Sequence, residues 1–565
     1  MSNLKVLGYI LSKASSRRAF FQPLREAEGS IKEGMFVIIR SSNGDHLSEI
    51  MNITHYNEFY EVGEVWTEAL REGHKPPHAI ARKFTIASLK ILGILKGQKL
   101  VSVDKPPHPG DPVYIASGRE LKCIYKFDPS TEKMPLPYIR IGTIYGYEKE
   151  DIRLPAILDM KAINMHFAVI GITGSGKSNT VGKLIEELGK IDNIYGKYKT
   201  IPIMIIDANG DYIDYFDNPE LIESYEKVYR FYFKESQVYY EKRISSSKSD
   251  LKEIRLDINV FTPDEIAETI MIFHRRGKLE GAELQVNYLS TLLSDKKRLE
   301  EQIPACIING ILDYNYILNN IDILEKFINI DVKNKRVHES TAKAVKRALR
   351  LFYERIIIKH RLIPKYRNGA TLNGDFISEI TDPSSPKMAI IDFSTEGATG
   401  VHLDIKQYVV YNILALLFNK FTDYKVRNDD RLLLLVIEES QNYAPNLQVY
   451  PIGFSVARNM LASIATQGRK FGLCLGLVTQ RPSFVDPIVM SMMNTYIIHR
   501  IAPGDIRFVE TVTGGLPKYI KDKITYMEPG LAVLTGQMNV FPYPIFIKVD
   551  LREKHRIGSI SIENY

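Results

Sequence analysis

Residues Gly171-Ile172-Thr173-Gly174-Ser175-Gly176-Lys177-Ser178 follow an apolar run, His166 to Ile170, and precede a helical pattern from Thr180 to Leu188. They fit G-x-x-x-x-G-K-[ST] in the setting that motif requires. Glycines let backbone N–H groups wrap phosphates, and the helix N-terminus adds a favourable dipole. The expected ligand is ATP with Mg²⁺. Gly171, Thr173, Gly174, Ser175, Gly176, Lys177, Ser178 and Asn179 are the expected cradle, with Lys177 on the β and γ phosphates and Ser178 on the metal.

Hydrolysis also needs an acid for the metal and a group to orient water. The run Leu432 to Ile437 ends in Glu438-Glu439. Glu438 is expected to hold the metal through its water shell, and Glu439 to act as general base. Most such motifs carry Asp first, and the extra methylene of Glu438 shifts its carboxylate by about a bond length, which bears on metal affinity. An acidic pair capping the next helix is the bland alternative. The run Leu473 to Val478 ends in Thr479-Gln480-Arg481-Pro482, and Gln480 is the expected γ-phosphate sensor, with a structural amide as its alternative. Arg469, in Gly468-Arg469-Lys470-Phe471-Gly472, can donate bidentate bonds to phosphate from a neighbouring subunit. A DNA-phosphate contact or a surface ion pair explains it equally well, and Arg481 and Arg500 are weaker contenders.

These groups need a parallel sheet whose strands end at one edge. The apolar runs His166 to Ile170, Pro202 to Ile206, Met388 to Ile391, Leu432 to Ile437 and Leu473 to Val478 are its predicted strands. Between the second and third, Pro263 to Phe273, Ala282 to Leu293, Asp322 to Ile328 and Ser340 to His360 show helical spacing, and Glu241 to Lys252 reads as a solvated loop. Earlier, Val6 to Leu11, Met35 to Arg40, Lys90 to Leu95, Val113 to Ala116 and Tyr138 to Ile144 predict a small barrel, with a loop at Asp128 to Met134.

The organisation expected is therefore α/β: a β-barrel over 1–150, an ATPase core over 151–240 and 385–535, a helical insertion over 241–384, and a C-terminal segment over 536–565 that adds an edge strand or clasps a neighbour. With 565 residues, 45% hydrophobic and 25% charged, the chain has a globular composition. No apolar run approaches the ~18–20 residues of a membrane span, and the N-terminus has no export pattern, so a cytoplasmic location without membrane attachment is expected. Cys123, Cys306 and Cys474 form no C-x-x-C pair, which argues against a disulfide framework or zinc site. The net charge of +7 is compatible with nucleic acid but also with an ordinary surface.

The order Gly171–Ser178, Asp207-Ala208-Asn209-Gly210-Asp211-Tyr212, Glu438-Glu439-Ser440-Gln441-Asn442-Tyr443-Ala444-Pro445, then Gly468-Arg469-Lys470 and Thr479-Gln480-Arg481-Pro482-Ser483 resembles the HerA branch of the HerA/FtsK superfamily. The resemblance implies a RecA-like core, a HAS-type barrel, a homo-hexameric ring threading double-stranded DNA, and a NurA-type nuclease partner in DNA-end resection and recombinational repair. It places Lys177, Ser178, Glu438, Glu439 and Gln480 in the roles above and puts Arg469 where relatives place a trans-acting arginine. The family more often ends the second motif His-Gly-Glu-Tyr, so Asn209 and Asp211 leave that segment's role open. The Lys-, Ile- and Tyr-heavy composition suggests an archaeal source. The alternative function is a partner-controlled ATPase of a secretion, conjugation or defence assembly. Lys346, Arg347 and Arg350 are candidates for a DNA-facing wall, with a solvated helix face as the bland reading.

Overall fold

The computed structural model describes residues 5–553, apart from 58–59, 62–64, 75–83, 98, 126, 128, 130–136, 192–199, 240–245, 276–280 and 451–454. Most of the expected loop at 128–134 lies outside the described residues. Packing divides the chain into two units, Met1–Met160 with Leu516–Asp550, and Lys161–Gly515 with Leu551–Tyr565.

In the first unit, strands β1 (Val6–Ile10), β2 (Arg18–Pro23), β3 (Phe36–Ser41), β4 (Gly44–Tyr56), β5 (Phe84–Lys96), β6 (Lys99–Val101) and β7 (Pro112–Ile115) form one antiparallel sheet. The order β2-β1-β7-β3-β4-β5 closes on itself because β2 also pairs with β5, Arg18 opposite Lys90. Closure removes the exposed edges of these six strands. Alternation places Ala19, Phe21, Ala87 and Leu89 inside. Strand β8 (Tyr138–Ile144) was expected in this barrel but lies outside it, pairing with β9 (Pro155–Asp159) and with Ile545–Val549. Ile545–Val549 lies between β8 and Leu531–Gly536, so it is an interior strand rather than an edge.

Strand β4 escaped the sequence pattern because it buries five consecutive residues, polar His46, Ser48 and Glu49 together with Leu47 and Ile50, and shifts register between Leu47 and Ser48, so no alternation shows. Glu49 accepts a 2.6 Å hydrogen bond from the Tyr519 hydroxyl. Burial pushes its carboxyl up to about 7, against the lowering effects of Tyr519 and Lys90.

The second unit is built on β10 (Phe167–Ile170), β11 (Ile203–Asp207), β12 (Lys227–Tyr232), β13 (Ser249–Glu253), β16 (Lys387–Asp392), β17 (Leu433–Ile437), β18 (Leu473–Thr479) and β19 (Thr495–Ile498). The two numbers between β13 and β16 belong to a short hairpin, β14 (Ile307–Ile308) and β15 (Ile311–Leu312). The eight main strands lie in the order β13-β12-β16-β11-β17-β18-β10-β19. The five predicted strands are all present and parallel. Full burial of β10, β11, β17 and β18 explains why they read as unbroken apolar runs.

The predicted helices appear as Pro263–Arg275, Glu283–Ser294, Ile321–Lys333 and Glu339–Phe352, the last continuing as a π-helical turn, Tyr353–Lys359. One reading is corrected. Residues 249–252, expected in a solvated loop, belong to β13, a half-exposed edge strand whose Ser-Asp-Leu-Lys-Glu sequence gives no apolar signal. Among the described residues no helix is long and apolar enough to cross a membrane.

The Glu49 carboxyl titrates higher in the folded chain than in the unfolded one, so its stabilising contribution is complete below about pH 4.5 and is lost as pH rises through about 7. Wild type should lose roughly 2–3 kcal/mol at this site between pH 5 and 8. Glu49→Gln keeps an acceptor for Tyr519 and should not show that loss. Urea midpoints at the two pH values check it.

Candidate functional site

The parallel register brings the carboxyl ends of five strands to one edge. Ile170 pairs with Thr479, Ile206 with Ile437, and Asp207 with Asp392. The loop after β10 turns through Gly174 (φ 74°) and Gly176 (φ 109°), and the helix Lys177–Leu188 begins at once. Both glycines occupy left-handed backbone that a side chain would strain. Ser175 donates to the Ile172 carbonyl at 2.7 Å, closing the loop on itself.

Lys177 lies across the loop, its Nζ 3.1 Å from the Ile172 carbonyl. Burial pushes its ammonium down, while Glu439, Glu438 and Asp211 pull it back up. A buried lysine facing three carboxylates is suited to exchange that company for polyphosphate. Asn179, also expected in the cradle, turns its side-chain oxygen to the Arg552 N–H at 3.1 Å.

Glu438 is 2% exposed. One oxygen accepts from the Tyr212 hydroxyl at 2.9 Å, and the other is buried with no hydrogen-bond partner among the described residues. Burial raises its pKa well above the usual carboxylate range, reinforced by Asp207 and Asp211 and opposed by the Tyr212 bond. An orphaned buried carboxylate oxygen is unfavourable unless a cation or proton satisfies it. Ser178, at the start of the P-loop helix, donates to Asp211 Oδ2 at 2.6 Å. That leaves the Ser178 oxygen lone pairs for another group. Ser178 and Glu438 thus fit a divalent cation, which would supply charge neutralisation for the phosphates.

Glu439 sits in left-handed backbone (φ 48°) at the head of the turn Ser440–Asn442. One of its oxygens accepts from Gln480 Nε2 at 2.5 Å, and the other accepts from Gln441 Nε2. Gln480 Oε1 in turn accepts from the Thr173 hydroxyl at 2.6 Å. Gln441 Oε1 accepts from Thr479 at 2.7 Å. The P-loop, the amide at the tip of β18 and the acidic residue beyond β17 are therefore one continuous relay. Two hydrogen bonds thus connect the Thr173 hydroxyl to the Glu439 carboxylate.

Arg469 is not brought to this site. It is exposed, in the turn Gly468–Phe471 that precedes β18. The seven residues of β18 separate it by about 20 Å from the edge that carries Gln480. Arg481 is held by Asp505 at 3.0 Å and lies over the Phe484 ring. Arg500 borders the P-loop through its carbonyl, which accepts from Ile172 N–H. Of the basic residues considered for a DNA-facing wall, Arg350 is bonded to Glu325 and Lys346 to Asn329.

Sequence reasoning left the role of the loop after β11 open. Asp207, fully buried, accepts backbone N–H bonds from Gly210 (2.7 Å), Asp211 (3.1 Å) and Tyr212 (3.0 Å). Its carboxyl is raised by burial first and by Asp392 second. This nest fixes Asp211 against Ser178 and Tyr212 against Glu438. Arg552, 5% exposed, reinforces it by donating to the Asp211 carbonyl at 2.7 Å. The available signal was an acidic residue ending a buried strand, followed by a glycine.

The arrangement is that of a P-loop nucleoside triphosphatase. The family model described as "Helicase HerA, central domain" matches residues 139–417. Similar relatives include the DNA double-strand break repair helicase HerA of Pyrococcus furiosus, 24% identical over 91% of this chain and 87% of that protein. The protein of that name from Saccharolobus solfataricus is 24% identical over 98% of this chain and 94% of its own. Among solved structures, VirB4 of Thermoanaerobacter pseudethanolicus aligns with a TM-score of 0.48 and 13% identity, over 75% of this chain and 99% of that one. The bacterial conjugative coupling protein TrwB gives 0.45 and 14%, over 79% and 93%.

Asp211→Asn keeps the shape of the Ser178 contact and removes its charge. Groups that orient a metal's direct ligands typically contribute ~10–100-fold in metal affinity. The Mg²⁺ concentration for half-maximal binding of a fluorescent ATP analogue should rise by about tenfold or more, with metal-free binding little changed.

Proposed function

We propose that this chain, a member of the HerA family of P-loop ATPases, is a motor that couples ATP hydrolysis to movement along duplex DNA. The observation that carries the reading is an end-to-end match to proteins named DNA double-strand break repair helicase HerA, over 91% and 98% of this chain. That match is joined to a site whose P-loop, acidic pair and amide relay are linked by hydrogen bonds.

In this reading Lys177 holds the β and γ phosphates, and Ser178 and Glu438 hold Mg²⁺. Glu439 takes the proton of the attacking water. Gln480 reports the γ-phosphate from Thr173 to Glu439. Arg469, remote from its own chain's site and exposed, acts on the site of a neighbouring subunit in a homo-hexamer. Such a ring works on DNA phosphates with little base readout. It acts in the cytoplasm with a NurA-type nuclease, resecting DNA ends for recombinational repair.

The test is steady-state hydrolysis with and without linear duplex DNA. Wild type should be stimulated by DNA, and Glu439→Gln should lose about 10²–10⁴-fold. Arg469→Ala should also be inactive yet bind nucleotide. Mixing Arg469→Ala with Glu439→Gln subunits should restore hydrolysis, because a trans-acting arginine completes sites between the two kinds. Hydrolysis indifferent to DNA but raised by a partner protein would contradict the translocase reading and favour the partner-controlled alternative. Failure of mixing to restore activity would contradict the role given to Arg469.

A further inference from the structure

The barrel unit carries a groove of ≈ 1010 Å³ that plays no part in nucleotide chemistry. Its floor is the outer surface of β2, β5 and β4, and its far wall is the segment Pro517 to Lys523. Strand alternation explains the lining. Inward positions of β2 and β5, such as Ala19, Phe21, Ala87 and Leu89, are consumed by the barrel interior. The outward set therefore delivers Arg18, Phe20, Ser88 and Lys90 to a single face, and the β2–β5 register sets Arg18 directly opposite Lys90.

Five cations line the groove: Arg17, Arg18, Lys90, Lys518 and Lys523. The two carboxylates in the lining are Glu33 and Asp522. Among the described residues none of the five cations forms an ion pair within 4.0 Å; Lys523 lies over the Tyr145 and Phe546 rings near Glu33, and Lys90 lies over the Tyr543 ring near the buried Glu49, so the groove keeps more positive charge than its carboxylates offset. The whole chain's charge is only +7 against 141 charged side chains, 74 basic and 67 acidic. A groove with an excess of three cations is therefore a local concentration and not the average surface. Cations lining a low-dielectric concavity focus potential on whatever enters it.

The apolar component is aromatic. Phe20 is 40% exposed within this basic setting, and the Tyr519 ring forms part of the opposite wall. An exposed ring on a strand face supplies a stacking surface that accepts any base. Asn52, Thr54 and Ser88 add neutral hydrogen-bonding groups.

We propose that this groove binds a single-stranded nucleic acid segment, its phosphodiester backbone on Arg17, Arg18, Lys90, Lys518 and Lys523 and a base stacked on Phe20. A duplex is disfavoured by the geometry, since a base stacked on Phe20 must be free of its neighbours in a helix. The proposal concerns a second nucleic-acid site outside the ATPase unit. It stands whether or not hydrolysis is stimulated by duplex DNA, and the two tests fail separately.

The experiment measures fluorescence anisotropy of a labelled 12-nucleotide oligothymidylate on the full chain without ATP, alongside a duplex of equal length and a polyglutamate peptide of equal charge. Arg18→Ser/Lys90→Ser should weaken oligothymidylate binding about tenfold and flatten its salt dependence by roughly 1.4 units of log–log slope for two lost phosphate contacts. Phe20→Ala should weaken it about fivefold or more without changing the salt slope. Duplex binding and basal ATP hydrolysis should stay within twofold for both variants.

An iodouracil-substituted oligonucleotide, photo-cross-linked to wild type, should mark the peptide containing Phe20 or Tyr519. Retention of wild-type oligothymidylate affinity by both variants would overturn the proposal. So would cross-links confined to residues 161–515, or polyglutamate displacing the oligonucleotide at equal concentration. Melting temperatures within a few degrees of wild type show that any loss is not unfolding, and Arg18→Gln alone, milder still, should give an intermediate loss.

Discussion

Three carboxylates end adjacent strands of the ATPase sheet. Asp207, Asp392 and Glu438 follow or close β11, β16 and β17, and all are buried. Burying one charge is unfavourable, and three together are tolerable only with compensation. Arg230, itself fully buried, meets Asp392 at 2.6 and 3.0 Å. Asp207 is satisfied by successive backbone N–H groups. Among the described residues the Glu438 side chain receives only the Tyr212 hydroxyl and keeps one oxygen without a partner. The unmet demand for positive charge is thereby concentrated at the position next to Lys177 and Ser178.

The rest of the site follows from how this demand is held in place. The nest around Asp207 holds the loop after β11 so that Asp211 meets Ser178 and Tyr212 meets Glu438. Parallel register then sets β18 beside β10, so Gln480 reaches both Thr173 and Glu439. A base gripped by two amides is oriented in advance, and orientation is the larger part of what a phosphoryl-transfer site must provide. In the proposed mechanism nucleotide, metal and base are thus governed by one electrostatic arrangement, with Arg552 bracing the loop from the C-terminal side.

The ATPase strands were legible because strands buried on both faces are apolar without interruption, and the P-loop was legible because its glycines and lysine are contiguous. Glu438, Glu439 and Gln480 could be placed because each directly follows such a strand. What escaped has a common cause. Strand β13 is a polar edge strand, and β4 buries polar and apolar side chains in one unbroken run, so neither shows periodicity. Gln441, Tyr212 and Asp211 act through contacts across 38, 226 and 33 positions of sequence, which no local pattern encodes. Arg469 illustrates the opposite case, a motif visible in sequence that the fold holds at the other end of β18 from Gln480, a place that suits the role proposed for it at a neighbouring subunit.

In the proposed mechanism the orphaned Glu438 oxygen and the Ser178 hydroxyl define the metal position, with Glu439 facing the γ-phosphate. A structure of the chain with Mg²⁺ and a non-hydrolysable ATP analogue tests it most directly. The account predicts metal density between Ser178 and Glu438, and Glu439 within one water of the γ-phosphate, its bond to Gln480 intact or passed to that water. Metal seated instead between Asp207 and Asp392, or a γ-phosphate out of reach of Glu439, would contradict it.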